Sequence, residues 1–255
     1  MPRLRLDIAY EGTAYCGWQI QAGRADQPTI QGLVESVMTR VCGCPVRAFG
    51  SGRTDSGVHA LGQVAHMDIP ADKAGVDWMR ACNALLPDDV AVTAAALVPD
   101  DFHARYSATS KTYAYSLWLN GRYVLPQRRC YVWKTGPLDM AAMDEAAKRL
   151  TGEHDFASFQ NTGTPVKSTV RTVTEITRSA GAFADEVVWR FSADGFLKQM
   201  VRNLMGLMVE VGRGRFAPQD VDRVLAAAER SAVRYVTAPP QGLCMEHVDY
   251  AGADV

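Results

Sequence analysis

The stretch FGSGRTDSGVHALGQVAH, from Phe49 to His66, combines residue types that could do chemistry. It places one carboxylate, Asp55, among four glycines, with Arg53 two residues before it. Because glycines allow sharp turns and close approach of a bulky ligand, this loop could present Asp55 to a substrate. A nearby guanidinium favours the ionised form of a carboxylate, and an ionised, accessible carboxylate suits covalent or electrostatic work on an electron-poor carbon.

Two other interpretations of this loop stay open on its residues alone. Glycine-rich loops often cradle phosphate, but this one has neither the G-x-x-x-x-G-K-[ST] pattern nor a G-x-G-x-x-G that opens a helix, and Asp55 would repel an anion. Asp, Ser and Gly are also common turn residues, so Asp55 could simply stabilise a turn. The catalytic interpretation gains weight if Arg53 and Arg202 converge on Asp55.

Other catalytic patterns are weaker. Two-carboxylate hydrolysis needs a second, protonated carboxyl group at short range, and the sequence near Asp55 offers none, although folding could bring one from elsewhere. No G-x-S-x-G elbow indicates a Ser–His–Asp triad. The six cysteines are scattered, which favours buried free thiols. We expect no metal site, because no H-x-x-x-H or close His/Cys cluster occurs among the five histidines, His59, His66, His103, His154 and His247.

The composition is that of an ordinary globular enzyme, with 255 residues, 47% hydrophobic and 22% charged. The N-terminus lacks the apolar run of a signal peptide, and no stretch approaches the roughly 20 apolar residues of a membrane helix. We therefore expect a cytoplasmic protein. Only the tail after Tyr250 has a composition that suggests disorder. The most apolar stretch, VRNLMGLMVEVG, includes Arg202, Asn203 and Glu210 and predicts an amphipathic helix within FLKQMVRNLMGLMVEV. Lys198 and Arg202 would lie one helical turn apart, beside a buried stripe formed by Leu197, Val201, Leu204, Met208 and Val211.

The net charge of −1 provides no overall attraction to nucleic acid, so the distribution of charge matters more. Residues 198–215 carry a net charge of +3. Residues 105–134 contain no acidic residue, and aromatic residues lie among their cations, which are Arg105, Lys111, Arg122, Arg128, Arg129 and Lys134. A solvated face would explain either stretch, but the two together favour a polyanionic partner.

The hydrophobic periodicity predicts an α+β protein. RLRLDIAY alternates as a strand, TIQGLVESVMTRVCG has helical spacing and a Gly-Cys-Pro stop, and VRAFG, GQVAHMDI, DWMRACNALLP and VAVTAAALV complete a β-α-β-β-α-β order. The second half repeats this order loosely, from SKTYAYSLWL to LCMEHVDY. We expect two tandem halves, residues 1–103 and 104–255, that share a broad, mainly antiparallel sheet. A cleft between them is the default ligand site.

With these residues in view, the chain resembles the tRNA pseudouridine synthases of the TruA type. The resemblance depends on GRTDSGVHA, at residues 52–60, which matches the family's catalytic loop. It extends over nearly the whole chain, in order, through YEGTAYCGWQIQ, TIQGLVE, FHARYSATSKTYAY, GFLKQMVRNLMG and APPQGL. One departure is Ser56, where the family commonly has alanine.

This resemblance implies the pseudouridine synthase fold, with helices on one side of the sheet and a central cleft. It also implies a cofactor-free isomerisation of uridine to pseudouridine in the anticodon stem-loop of tRNA, at tRNA positions 38, 39 and 40, by a homodimer. The family match assigns catalytic roles to Asp55, Tyr113 and Arg202. Arg202 would keep Asp55 ionised, and Tyr113 would stack on the target base. Substrate binding is expected of Arg53, Tyr113, Leu243, Lys111 and Arg105.

Two functions of other classes compete with the synthase. A non-catalytic RNA-binding or tRNA chaperone protein would need only the cations and aromatic residues, whereas the presence of Asp55, Tyr113 and Arg202 favours catalysis. A nucleoside glycosidase would release free uracil.

Overall fold

The computed structural model describes residues 1–21, 27–161, 166–230 and 235–251, so the last four residues of the expected C-terminal tail lie outside the described part. The chain forms two compact units, residues 1–109 with the segment from Cys244 onward, and Ser110–Leu243. The predicted boundary between residues 103 and 104 stays a prediction. The α+β class and the mainly antiparallel strand pairing are confirmed.

The first unit is built on a sheet with the strand order β4-β1-β3-β10. Its strands are β1 (Arg3–Tyr10), β3 (His59–Asp68), β4 (Val90–Val98) and β10 (Leu243–Tyr250), and the short β2 (Phe49–Gly50) also pairs with β3. Pairing is antiparallel except between β10 and β3. The predicted core face of β1 is confirmed, since Leu4, Leu6 and Ile8 are fully buried.

Two helices, α1 (Ile30–Cys42) and α2 (Trp78–Asn83), complete the β-α-β-β-α-β order of the first unit. The Thr29 side chain caps α1 by accepting a hydrogen bond from the Gly32 N–H. The helix ends at Gly43, which has a φ of 73° and donates its N–H to the Thr39 carbonyl. The predicted Gly-Cys-Pro stop is therefore confirmed.

The second unit contains a sheet with the order β5-β9-β8-β7, in which all pairs are antiparallel. These strands are β5 (Ala108–Trp118), β7 (Gly152–Asp155), β8 (Val170–Ala180) and β9 (Glu186–Ala193), and β6 (Trp133–Lys134) runs parallel to β5. Its helices are α3 (Met140–Leu150), α4 (Met200–Gly212) and α5 (Asp220–Ala227). No helix in the described residues is long and apolar enough to cross a membrane.

The predicted helix α4 is present, but it has almost no exposed polar face. Every residue of α4 except Arg202 is buried. Its other polar side chains are satisfied internally: Asn203 donates to the Phe159 carbonyl and accepts from Thr237, and Glu210 pairs with two arginines. A helix that is enclosed on all sides can carry polar residues only if each finds such partners.

Candidate active site

The loop that contains Asp55 is attached to residues 12–18 through main-chain atoms. The Trp18 N–H donates to the Thr54 carbonyl at 3.1 Å, and the Gly57 N–H donates to the Tyr15 carbonyl at 3.2 Å. The Ser56 hydroxyl donates to the same Tyr15 carbonyl at 3.2 Å. Asp55 thus lies between two fixed points, Thr54 and Gly57, and its side chain is partly exposed. The neighbouring Arg53 is exposed.

Two glycines make this close contact possible. A Cβ atom on Gly12 would lie 2.0 Å from the Val58 carbonyl oxygen, and one on Gly17 would lie 2.4 Å from the Thr54 carbonyl oxygen. Gly17 also has a φ of 84°, which side chains other than glycine rarely adopt. The glycines of YEGTAYCGWQIQ therefore serve the loop, which explains why the two motifs occur together.

Two buried glutamines connect the loop to the rest of the first unit. Gln63, on β3, donates to the Gly52 carbonyl and accepts from the Ser51 hydroxyl. Gln31, on α1, donates to the Ala48 carbonyl just before β2, and Glu35 accepts from the Ala48 N–H. Sequence reasoning assigned no role to these positioning residues. A signal was available, because Gln31 and Gln63 occur in segments that otherwise bury apolar side chains.

Arg202 has a defined position in the second unit. Its Nε donates to the Ala238 carbonyl at 2.8 Å, and the Ala238 N–H donates back to the Arg202 carbonyl at 3.0 Å. The segment that includes Ala238 lies against α4 because Gly206 has no side chain, and a Cβ there would lie 1.8 Å from the Val236 carbonyl oxygen. The motifs GFLKQMVRNLMG and APPQGL are thus packed on each other around Arg202.

One prediction about this helix is wrong in detail. Lys198 and Arg202 were expected one helical turn apart, but α4 begins at Met200. Gln199, the residue before the helix, has a φ of 63°. This left-handed conformation prevents the helix from extending back to Lys198. Lys198 is exposed, and its carbonyl accepts from the Asn161 N–H. The stripe formed by Leu197, Val201, Leu204, Met208 and Val211 is buried, as predicted.

Tyr113 lies on β5, where it is 7% exposed and contacts Phe196 edge-on, with the ring centroids 5.2 Å apart. Two positions along the strand, Tyr115 is fully buried and donates its hydroxyl to the Pro239 carbonyl at 2.6 Å. Burial raises the pKa of the Tyr115 hydroxyl well above its usual value, against the opposing effect of the Arg202 charge. Tyr115 therefore anchors the segment before Leu243, which is itself buried.

The structure divides the cations of the two basic stretches into two kinds. Arg128 pairs with Glu186, which is 2% exposed, and both Arg213 and Arg215 pair with the buried Glu210. These arginines neutralise buried carboxylates and contribute to the fold of the second unit. Other cations are exposed and available to an anionic ligand, namely Arg105, Arg122, Arg129, Lys134 and Lys198.

The predicted site residues are therefore distributed over both units. Arg53 and Asp55 share one loop of the first unit. Arg105 belongs to the same unit but lies in a different segment. The second unit contains the other four, Lys111, Tyr113, Arg202 and Leu243. The convergence of Arg202 and Tyr113 on Asp55 stays a prediction.

Among the described residues, no group of three or more His, Cys, Asp or Glu side chains could hold a metal ion. The six cysteines form no disulfide bond with one another, and Cys42 and Cys82 are the two that are buried.

The similarity of the chain to known proteins gives its class, an RNA-modifying enzyme. The chain matches the family model described as tRNA pseudouridine synthase over residues 8–107 and 146–251. It belongs to this family, whose members are isomerases that act on tRNA.

Three relatives are similar to this chain over 93–100% of their own length. The relative from Solidesulfovibrio magneticus, named tRNA pseudouridine synthase A, is 55% identical over 100% of this chain and 93% of its own. A protein of the same name from Oleidesulfovibrio alaskensis is 55% identical over 98% of this chain and 97% of its own. One from an Exiguobacterium species is 42% identical over 100% of both.

Proposed function

We propose that this enzyme isomerises uridines in the anticodon stem-loop of tRNA, at positions 38, 39 and 40, with Asp55 as the catalytic carboxylate. The observation that carries the proposal is the geometry of the Asp55 loop. A partly exposed carboxylate stands between two points fixed by main-chain hydrogen bonds, in a chain of the tRNA pseudouridine synthase family. The loop holds the carboxylate ready before RNA arrives, which lowers the cost of ordering it in the complex.

The reaction sets the requirements for this carboxylate. The bond between the sugar carbon C1′ and ring nitrogen N1 breaks, the uracil turns, and a bond between C5 and C1′ forms. The C5 proton then leaves to solvent, and N1 takes up a proton. Asp55 could attack the sugar carbon, attack the ring, or assist removal of a proton from the sugar. An ionised carboxylate serves each of these steps.

Arg202 is proposed to pair with Asp55 and keep it ionised. It is the one residue of α4 that is not buried, and its Nε bond to the Ala238 carbonyl fixes the orientation of the guanidinium, whose forked N–H geometry suits a carboxylate. A salt bridge of this kind favours the charged form of an aspartate.

The remaining site residues are proposed to hold the nucleotide. The target uridine must leave its base stack, at a cost of a few kcal/mol that is smallest in a loop or at a stem end. Tyr113 would then stack on the uracil, with Leu243 on its other side, and the exposed Arg53 would bind the phosphate. Lys111 and Arg105 would contact the RNA backbone, which carries most of the affinity in such complexes.

The direct test measures tritium release from tRNA labelled at C5 of uridine. We expect the Asp55→Asn variant to lose at least about 10³-fold in turnover, because removal of a group that acts on the reacting atoms has effects of this order or larger. Its Kd for tRNA should stay within a few-fold of wild type, which shows that the variant is folded. Equal tritium release by both proteins would exclude Asp55 from the mechanism.

Mapping pseudouridine in tRNA from cells that lack the protein tests the predicted positions.

A double-mutant cycle tests the pairing of Arg202 with Asp55. We expect Arg202→Met to reduce turnover more than tRNA affinity, and to add little to the loss already caused by Asp55→Asn. Arg202→Lys keeps the charge but loses the Nε bond to Ala238, so it should recover only part of the activity. Fully additive effects in the cycle would contradict the pairing.

The homodimer and the cytoplasmic location belong to the same proposal and are supported by the family resemblance. Light scattering during size-exclusion chromatography measures the mass of the particle directly. A monomer at working concentration would contradict the dimer.

A further inference from the structure

An exposed cluster of rings lies in the first unit, next in sequence to the Asp55 loop. We define the aromatic patch as Phe49, His66, His103 and Tyr106. Phe49 stacks on His66 with centroids 5.2 Å apart and planes inclined by 20°. His66 contacts His103 at 4.5 Å, and His103 contacts Tyr106 at 4.4 Å. The four rings therefore form one continuous chain of contacts.

The outer rings of the aromatic patch are unusually accessible. Tyr106 is 77% exposed and Phe49 is 43% exposed, whereas His66 is buried beneath them. Large exposed aromatic groups that touch one another commonly mark a binding surface. Burial in a hydrophobic core therefore does not explain why an aromatic side chain occupies position 106, because most of the Tyr106 ring remains in water.

Two exposed arginines accompany these rings. The guanidinium carbon of Arg47 lies 5.4 Å from the Phe49 centroid, and that of Arg105 lies 5.7 Å from the Tyr106 centroid. Arginine pairs well with phosphate and also stacks on planar rings. Aromatic faces with adjacent arginines are the composition that proteins use to bind single-stranded nucleic acid.

Both histidines are held neutral, so the arginines supply the positive charge of the patch. His66 Nδ1 accepts from the Ala104 N–H, and His103 Nδ1 accepts from the N–H groups of Arg105 and Tyr106. Burial, helped by the neighbouring His103 and Arg3, lowers the pKa of His66 to about 4. Burial also lowers the pKa of His103. The hydrogen bonds of His103 orient the backbone that carries Tyr106.

We propose that the aromatic patch stacks an unpaired base of the RNA substrate that flanks the target uridine, while Arg47 and Arg105 bind its phosphates. This inference rests on the proposed function. Phe49 is six residues from Asp55, and an extended chain spans at most about 3.6 Å per residue, so the two Cα atoms lie within about 22 Å of each other. The other rings of the patch follow from Phe49 at centroid distances of 5.2, 4.5 and 4.4 Å. An RNA that places its target uridine at Asp55 can therefore extend an unpaired nucleotide to the patch.

The test is tRNA binding by a Tyr106→Leu variant, which keeps apolar bulk but removes the π-face. We expect Kd to rise about 5-fold to 150-fold, the equivalent of about 1–3 kcal/mol for a stacked base. Tyr106→Trp should restore binding. An anticodon arm with 2-aminopurine at one unpaired position at a time reports the stacked base, because stacking quenches its fluorescence. At one position the quenching should require Tyr106.

Phe183→Leu is the matched control, since Phe183 is an exposed aromatic residue of the second unit outside both basic stretches and should leave Kd unchanged. An unchanged Kd and unchanged quenching in Tyr106→Leu would overturn the proposal and leave the patch to another kind of partner. Tritium release by the wild-type protein separates this result from failure of the proposed function. If wild type releases tritium and Tyr106→Leu binds normally, only the patch assignment fails.

Discussion

The buried histidines of the first unit and the buried glutamates of the second unit are satisfied by different kinds of partner. In the first unit, His59 and His66 are buried and accept hydrogen bonds from backbone N–H groups, and the Asp55 loop is held by main-chain atoms. In the second unit, Glu186 and Glu210 are buried and each is neutralised by arginine. The first unit therefore satisfies these buried histidines through the backbone, whereas the second unit uses several of its arginines to neutralise buried carboxylates.

The largest expected effect distinguishes two adjacent arginines of the second unit. Arg128→Met leaves the buried Glu186 carboxylate without its partner, so we expect the free energy of unfolding to fall by about 3–5 kcal/mol. Arg129→Met, at an exposed position, should leave stability unchanged but weaken tRNA binding and reduce the slope of log K against log salt by about 1. Denaturant titration and binding at several salt concentrations measure both. If Arg129→Met destabilised the fold and Arg128→Met did not, the comparison would be wrong.

The next effect tests the main-chain support of the Asp55 loop. Gly17→Ala combines a strained φ with a Cβ 2.4 Å from the Thr54 carbonyl, so we expect a loss of at least about 1–3 kcal/mol in stability and a loss of turnover. Gly43→Ala is the control, because Gly43 has a similar φ of 73° but open space around its Cα. It should cost about 1 kcal/mol and leave turnover intact. Equal turnover in the two variants would contradict the role of residues 12–18.

A smaller effect appears in the pH dependence of stability. The pKa of His66 is about 4 in the folded protein and about 6.5 in an unfolded chain. Its stabilising contribution is therefore complete above pH 6.5 and is lost as the pH falls towards 4. His66→Asn retains an acceptor for the Ala104 N–H, so its unfolding free energy should vary less over this range. His247→Asn, at an exposed histidine, should behave as wild type. An unaltered pH profile in His66→Asn would show that His66 is not buried as a neutral group.

The smallest effect concerns Ser56, the departure from the family pattern. Its hydroxyl shares the Tyr15 carbonyl with the Gly57 N–H, so Ser56→Ala removes one of two hydrogen bonds. We expect a loss of about 0.5–1.5 kcal/mol in stability and less than a two-fold change in turnover. A large loss of turnover would give Ser56 a direct part in the reaction.

Much of the fold could be predicted because its signals are local. The Thr29 cap and the Gly43 stop define α1, and alternation defines β1. The strand β7 was not predicted, because its sequence, GEHD, has no alternation of apolar residues. It forms by backbone pairing with β8. The predicted start of α4 was too early in the sequence. The left-handed conformation at Gln199 could not be predicted, because that position is not a glycine.

The candidate site could be predicted only where motifs name its residues. The family resemblance indicated Asp55, Tyr113 and Arg202. It could not separate Arg128 from Arg129, because the acidic partner of Arg128 lies 58 residues away in sequence. Likewise, the contact of Phe49 with His66 depends on the pairing of β2 with β3 and has no sequence signature.

The main-chain attachment of the Asp55 loop has a consequence for how this protein tolerates change. Thr13 and Ala14 are exposed, and the segment meets the loop through the backbone of Tyr15 and Trp18, so most side chains should be acceptable at positions 13 and 14. Gly12 and Gly17 allow the segment to contact the loop because they have no Cβ atom, so neither position should accept another residue. A saturation library of residues 12–18, selected for activity, should therefore return two freely varying positions enclosed by two invariant ones.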